Sequence, residues 1–511
     1  MVKKLSTWQL ALISSGGMLG AGWLFSPFYG YQMAGVGVLC SWVITALITL
    51  IIGLSFAEVC SALPMAGGIY RLMGITHPRS VATLFLIIGW LSYVVYLPLE
   101  AQAVIQYLGF WLPSLIVDDG TAVELSWRGI GLAMLIILGM TGFNTLVITK
   151  VAKANTVISL WKIAIPIGVA LIVIASRGQW PTLTGAANFA NFSAENVLLA
   201  VTSSGLAFAF SGFQNGLLLA NQVAHPGRAI PHSLFWPIGI GLVLYALLSL
   251  SFLSTLDGDQ PALMNAAAPL LGLLSLLGLN VLFTLLFVDA VLAPLGTTNV
   301  YVAVTARVLY GIGRFLAPNS VLTRLNRHQV PVAALWINGA VGMLFLFPFP
   351  TWKALVNFLS SIVVFAYLAG PVSLWVLRRH AVPVTRRFSL KWPYATALLG
   401  FICCTWLIYW SGLANLGYLW LTVSLVLLGY ALMQGGVAAI KRDGYLFAYM
   451  GALWFVSWLR DESRIAFPLD NLLVGIIGAG FCHVFVRHSL DSVTLRRNIE
   501  GAQRELAGFE S

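Results

Sequence analysis

Apolar residues run along this chain in long blocks, separated by short stretches rich in polar residues, glycine or proline. Most blocks have the length of about 20 residues that a helix needs to cross a bilayer. Spans are predicted near 9–33, 36–63, 81–112, 126–148, 154–176, 195–221, 231–254, 272–306, 332–348, 352–376, 393–412, 417–439, 445–458 and 471–486, the block at 445–458 being short for a crossing. Two blocks break the pattern. In the first, Ser15-Gly16-Gly17-Met18-Leu19-Gly20-Ala21-Gly22-Trp23-Leu24-Phe25-Ser26-Pro27 sets four glycines and a proline inside the span. Glycine costs a helix interior about 1 kcal/mol and proline about 3. In hydrocarbon, freed backbone groups survive only where protein or a water-filled cavity covers them. A second interruption falls at 195–221, with Gly205 followed by Phe208-Ala209-Phe210-Ser211-Gly212-Phe213-Gln214-Asn215-Gly216. The second lies five spans after the first, an odd number, so the broken helices cross in opposite directions. Matching breaks in oppositely oriented halves are the sequence mark of an inverted repeat with a site at the membrane midplane, as in secondary transporters.

Composition agrees: 59% of the 511 residues are hydrophobic, 9% are charged, and the mean hydropathy is +0.89. A soluble domain carries about 25% charge, so the chain reads as an all-α polytopic membrane protein. The net charge of +11 is a matter of topology. Outer segments hold only Arg128, Arg177, Lys353, Arg460 and Arg464. Lys162 lies within a span, and the rest of the 28 Lys and Arg fall on the inner side. The positive-inside rule then puts both termini in the cytoplasm. This distribution gives no reason to expect a nucleic-acid partner. Lys3-Lys4 before the first apolar block resembles a signal peptide, but the block outruns a signal core without a small-residue cleavage pattern, so a retained span is expected. The five cysteines (Cys40, Cys60, Cys403, Cys404, Cys482) sit in apolar segments without metal or redox spacing and read as packing residues. No cofactor and no metal site is expected.

The domain plan that follows is a cytoplasmic start at 1–8, a first five-helix repeat at 9–176, a second, inverted repeat at 195–376, helices 11 and 12 at 393–439, an additional pair at 445–486 and a cytoplasmic tail at 487–511. The tail mixes Arg496, Arg497, Glu500, Arg504 and Glu505 at helical spacing and is expected to be a short helix.

Four stretches resemble the amino acid–polyamine–organocation superfamily. They are the Ser15–Pro27 string; Phe56-Ala57-Glu58-Val59-Cys60-Ser61-Ala62-Leu63-Pro64-Met65-Ala66-Gly67-Gly68-Ile69-Tyr70; Ala209–Phe213 with His225-Pro226-Gly227-Arg228-Ala229-Ile230-Pro231; and Asp289 to Thr305-Ala306-Arg307-Val308-Leu309-Tyr310, closed by Pro331. The resemblance covers about residues 9–376. It implies a LeuT-like five-plus-five inverted repeat with discontinuous helices 1 and 6, plus about four C-terminal helices, for twelve to fourteen spans. It says little about the substrate.

An α-amino acid needs N–H donors and a positive field for its carboxylate, and carbonyl oxygens for its ammonium. The break at Gly20-Ala21-Gly22 offers the free N–H groups and positive dipole end of a second half-helix, so the backbone of Ala21, Gly22 and Trp23 is assigned to the carboxylate. Pro27 is expected near the first turn of that half-helix, where a missing N–H costs little. The carbonyls of Phe208, Ala209 and Ser211 are assigned to the ammonium, with Gly212 and Gln214 completing the segment. By resemblance, Phe208 would be an aromatic gate.

Ionisable residues inside spans are functional candidates, since a charge at bilayer depth costs at least ~2.5–3.5 kcal/mol. Here they are Glu58, Glu100, Lys162 and Asp289. Glu58, near the cytoplasmic end of its span, reads as a gate or loop anchor. Glu100 has no partner evident in the sequence, and Asp289 is open between proton relay and structural hydrogen bonding. Burial penalises an ionised group, which lets a buried amine load and release a proton. By resemblance Lys162 would be the proton-coupling group, with Thr297 or Thr298 beside it. Several members of the superfamily carry a carboxylate where this chain has Gln214, and the amide weakens the case for a dicationic substrate.

The expected function is import of an amino acid, neutral or acidic, by proton symport across the inner or plasma membrane. The alternatives are an exchanger without net proton flow and, more remotely, a non-transporting sensor. An intramembrane enzyme would need converging nucleophile–base or metal-ligand sets; His77, His225, His232, His328, His380, His483 and His488 instead lie at inner loops or span ends. The partners are then the amino acid, protons and the lipid bilayer. The sequence does not specify the oligomeric state.

Overall fold

The computed structural model describes residues 6–63, 71–118, 122–146, 151–176, 189, 191–218, 223, 225–256, 267–317, 319–380, 384 and 386–510. Pro64–Tyr70 of the sequence string that resembles the superfamily, and most of the outer loop at 177–194, lie outside these residues. Helices α1 (Thr7–Met18) and α2 (Gly22–Ala34) form the first, broken span. They are followed by α3 (Val38–Ala62), α4 (Leu72–Thr76), α5 (Arg79–Val94), α6 (Tyr96–Gly109), α7 (Trp127–Leu146) and α8 (Val151–Ser176). The second broken span is α9 (Ala194–Ser203), α10 (Leu206–Phe210) and α11 (Gln214–Leu218). Then come α12 (Pro226–Thr255), α13 (Pro269–Leu276), α14 (Asn280–Leu316), α15 (Val332–Leu344), α16 (Trp352–Tyr367) and α17 (Ala369–Arg379). The C-terminal part holds α18 (Pro393–Tyr409), α19 (Leu413–Tyr430), α20 (Gly436–Asp461), α21 (Leu469–Arg487) and α22 (Ser492–Glu510). A short hairpin, β1 (Ile116–Asp118) with β2 (Val123–Leu125), closes the loop before α7.

Among the described residues eight helices are long and apolar enough to cross a membrane, nine with the bent pair Ala194–Ser203 and Leu206–Leu217 counted as one span; several shorter apolar helices accompany them. Leu135, Val281, Leu432 and Ile476 stand exposed on the outer faces of the bundle, where a soluble fold would risk association and a lipid-embedded one meets its solvent. Inside, many hydroxyls bond to carbonyls of their own helices. Thr45 and Thr49 of α3 donate to carbonyls one turn back, at 2.6 and 2.8 Å, as side chains denied water do. Trp42 donates to Ser249 at 2.8 Å, tying α3 to α12.

Both breaks lie at the centre of the bundle. A capping box of Ser6 with Gln9 starts α1, and the first span opens between Met18 and Gly22. The second span breaks twice rather than once, at Ser204-Gly205 and again at Ser211–Phe213. Gly205 and Gly212 carry φ of 75° and 110°, a region that glycine enters without steric cost. The halves are cross-tied. Ser26 of α2 donates to the Gly205 carbonyl at 3.0 Å, and Ser14 of α1 donates to the Phe213 carbonyl at 3.4 Å. Pro27 falls beyond the first turn of α2, inside the helix; there it withholds the N–H that Trp23's carbonyl would accept. Helix α20 starts at Gly436, ahead of the expected 445, because Gly436 at φ 58° makes the turn there.

Candidate functional site

The two breaks touch. A methyl group on Gly22 would sit 3.1 Å from the Ala209 Cα and 3.2 Å from a ring carbon of Phe208, so the first turn of α2 lies directly on α10. Gly212 is closer still to the end of α1, and a Cβ there would meet the Gly17 carbonyl and the Met18 nitrogen at 2.7 Å. Around the contact Ala21, Gly22, Trp23, Phe208, Ala209, Ser211, Gly212 and Gln214 are all buried.

Glu100 of α6 is fully buried and reaches into the first break. Its two carboxylate oxygens accept from the Ala21 N–H at 3.1 and 3.0 Å. Gly20 gives it room, since a side chain at that position would collide with Glu100 Oε1. The positive end of α2 therefore already faces an acid. Ala21's N–H, assigned from the sequence to a substrate carboxylate, holds a resident one. This partner was missed because 79 positions separate Glu100 from the break. The mid-span acid itself was the available signal, as was Tyr96 one turn before it on the same face of α6.

Lys162 of α8 is buried, and its ammonium donates to Thr297 Oγ1 of α14 at 2.6 Å. Thr297 in turn donates to the Ala293 carbonyl at 3.0 Å, while its methyl lies beside Gly20. Gly20, Glu100, Thr297 and Lys162 thus form one cluster against the first break, and Glu100 and Asp289 both act electrostatically on Lys162. Thr298 turns away, donating to the Pro294 carbonyl at 2.9 Å. Asp289 accepts from the Trp161 indole at 2.9 Å.

On the other side, two of the three carbonyls assigned to an ammonium are engaged. Phe208's accepts from the Ser211 hydroxyl at 2.6 Å and from its N–H at 2.8 Å. Ala209's accepts from Tyr245 at 2.7 Å. The Ser211 hydroxyl also pairs with Tyr96 OH. Tyr96 stacks on Tyr301 with ring centroids 3.8 Å apart, and Phe208 packs between Tyr96 and Trp352 at 5.5 and 6.0 Å. Gln214 Oε1 accepts from the Gly212 N–H at 2.7 Å and from Tyr367 at 2.8 Å, which leaves its amide nitrogen, like the Trp23 indole nitrogen, a buried donor with no partner among the described residues.

Glu58 lies away from this centre. It accepts from Arg378 at 2.6 Å and from the Leu390 N–H at 2.7 Å, with Arg386 at 3.7 Å, and so pins the segment that follows α17. Among the described residues no group of three or more His, Cys, Asp or Glu is placed to hold a metal ion.

The model of the amino acid permease family matches residues 5–431. The chain is 30% identical to the glutamate/serine transporter AimA of Bacillus subtilis, over 89% of its own length and 86% of that protein's. It is 31% identical to the aspartate-proton symporter of the same organism, over 93% and 90%, and 24% identical to its branched-chain amino acid permease BcaP, over 83% and 92%. In structure it resembles a mutant of the manganese transporter of Eremococcus coleocola, with a TM-score of 0.50 at 14% identity, covering 97% of this chain and 96% of that one.

Proposed function

We infer the function from one premise, that the chain belongs to the amino acid permease family and is a multi-pass amino-acid transporter: it imports an acidic amino acid together with a proton. The carrying observation is Glu100 on the Ala21 N–H, with Lys162 and Thr297 against the same glycine break. A substrate carboxylate needs the donor that Glu100 holds. An ionised Glu100 competes for that N–H, whereas a protonated one has no such claim and adds no like charge beside the incoming anion. Proton uptake and substrate binding then favour one another, which is what symport requires thermodynamically. Lys162 is the group that exchanges the proton with Glu100. The backbone of Gly22 and Trp23 supplies further N–H groups, and the segment from Phe208 to Gln214 receives the ammonium.

The acidic substrate is supported by aspartate in the name of one relative and glutamate, beside serine, in that of the other, by Gln214 standing where a carboxylate would repel an anion, and by the unpaired donors of Gln214 and Trp23. An amino acid with an acidic side chain carries one net negative charge and travels with one proton as a neutral pair. The chain lies in the inner or plasma membrane with both termini cytoplasmic, on the Lys and Arg distribution.

The test is uptake of radiolabelled L-aspartate and L-glutamate into proteoliposomes under an imposed inward proton gradient. Accumulation above equilibrium is expected for the parent. Lys162→Ala should abolish it while sparing counterflow. A parent that exchanges label but ignores the gradient is an exchanger, and gradient-driven accumulation by Lys162→Ala would remove Lys162 from the coupling.

A further inference from the structure

Asp289 takes no part in the exchange of carboxylates at the first break, yet it is fully buried in α14. Only one of its oxygens is satisfied: Oδ1 accepts from the Trp161 indole at 2.9 Å, and Oδ2 has no partner among the described residues. A buried carboxylate oxygen left unpaired is costly, so the site is a poor place for a permanent charge.

Its position is specific. Asp289, Ala293 and Thr297 follow at one-turn intervals on one face of α14, and Thr297 holds the Lys162 ammonium. Two turns are about 12 Å at 1.5 Å per residue. Trp161, which holds Asp289, is the chain neighbour of Lys162. Lys162 is flanked electrostatically by Asp289 and Glu100, so the groups that face Asp289 are the Trp161 indole and the Lys162 ammonium from α8, with Glu100 of α6 beyond them. With both termini inside, α14 enters from the outer face and Asp289 lies outward of Thr297. Fully ionised, the three groups carry one net negative charge, and a single added proton makes the cluster neutral.

We propose that Asp289 is the outer proton station of the transporter: it takes the coupled proton from the outer side and passes it to Lys162, which hands it to Glu100. Only O–H and N–H bonds change: the lysine N–H breaks as the Glu100 O–H forms, and the Asp289 O–H then breaks as the lysine N–H reforms. One proton moves from Asp289 Oδ2 to the lysine amine once that amine has given its own to Glu100, so each cycle carries one proton. The proposal rests on the proton-symport reading above and adds to it a residue and a direction. The four-carbon lysine stem provides the swing between Thr297 and the acid, and Trp161 is a positioning residue that aims the carboxyl.

The experiment uses full-length protein in proteoliposomes with radiolabelled L-aspartate, comparing parent, Asp289→Asn, Asp289→Glu and Trp161→Phe. Asp289→Asn is expected to lower gradient-driven accumulation by about tenfold or more, within the usual range of coupling between sites. Counterflow should stay within about twofold of the parent and lose its dependence on outside pH. Asp289→Glu should restore accumulation, and Trp161→Phe should shift the pH profile of accumulation without abolishing counterflow. If the parent accumulates label and Asp289→Asn does so equally, the symport reading stands and the assignment of Asp289 is overturned. It is overturned likewise if Asp289→Asn loses counterflow together with accumulation and Asp289→Glu restores neither, the result of a purely structural role. If the parent shows no gradient-driven accumulation, the symport reading fails first, and the relay falls with it.

Discussion

Gly212 shows what a single residue contributes to this site. At φ 110° it adopts a conformation that L side chains avoid, and an added Cβ would press to 2.7 Å on the carbonyl of Gly17 and the nitrogen of Met18. Both neighbours are backbone, so neither can rotate away. Gly212→Ala is expected to cost about 1–3 kcal/mol in strain alone, and to part α1 from the second break. Thermal unfolding in detergent should show a clear drop in midpoint together with loss of counterflow. Gly131→Ala, where nothing lies within 4 Å of the new atom, is the control and should stay within about 0.5 kcal/mol of the parent. An unchanged midpoint for Gly212→Ala would mean that the two breaks are not held together as described. Sequence reading found the glycine strings but valued Gly20 and Gly22 for their N–H groups. Gly20 matters instead for the space it leaves to Glu100, a relation across 79 positions that no local pattern encodes.

At the scale of elements, the length of the apolar blocks located most of the helices, because a bilayer imposes length and continuity on a crossing, but the block at 272–306 runs across two helices, α13 and α14. It could not say how a broken span breaks. Glycines mark where a helix can open, and only the neighbours decide where it does: Ser26 on the Gly205 carbonyl and Ser14 on the Phe213 carbonyl fix two openings in the second broken span. The added pair α20 and α21 was legible as two apolar blocks, but not its attachment. Arg460, at the end of α20, pairs with Glu195 in the first turn of α9 and lies 3.6 Å from Asp470 of α21, which is fully buried and accepts from Tyr409 at 2.7 Å. The extra pair is thereby tied to α9, the first helix of the second broken span. Removing one partner from a buried ion pair costs about 3–5 kcal/mol. Arg460 is partly exposed and Asp470 keeps its Tyr409 and Asn471 donors, so Arg460→Gln should cost about 1–2 kcal/mol after that discount. Because the tie reaches α9, the variant should also change the initial rate of L-aspartate uptake. A stability loss with unaltered transport would confine the extra pair to a structural role.

For the molecule as a whole, the C-terminal helix α22 packs back onto α4. The charge spacing of the tail predicts a short helix; α22 forms there and buries Leu495, Ile499 and Ala502. Beside them the Leu490 N–H donates to the Thr76 carbonyl at 2.8 Å and Asn498 donates to the Ile75 carbonyl at 3.2 Å, both in α4. His77 sits under this latch, fully enclosed, with Nε2 donating to the Phe485 carbonyl at 3.0 Å and Nδ1 2.8 Å from the Thr76 hydroxyl. Burial holds its imidazole down at about 4, with His488 lowering it further while the Phe485 bond and Asp443 oppose. The folded state therefore keeps this ring neutral at pH values where an unfolded chain, titrating near 6.5, is already protonated. The unfolded state binds the extra proton, so the contribution is complete above about pH 6.5, declines as pH falls toward 4, and levels off below that. A displacement of this size corresponds to at most about 3 kcal/mol. Thermal midpoints of the detergent-purified protein should fall between pH 6.5 and 4 in the parent, and His77→Gln should be less stable at neutral pH but flatter across that window. Equal slopes for the two proteins would show that the contact of α22 with α4 does not depend on a neutral His77, and that the acid sensitivity of the fold lies elsewhere.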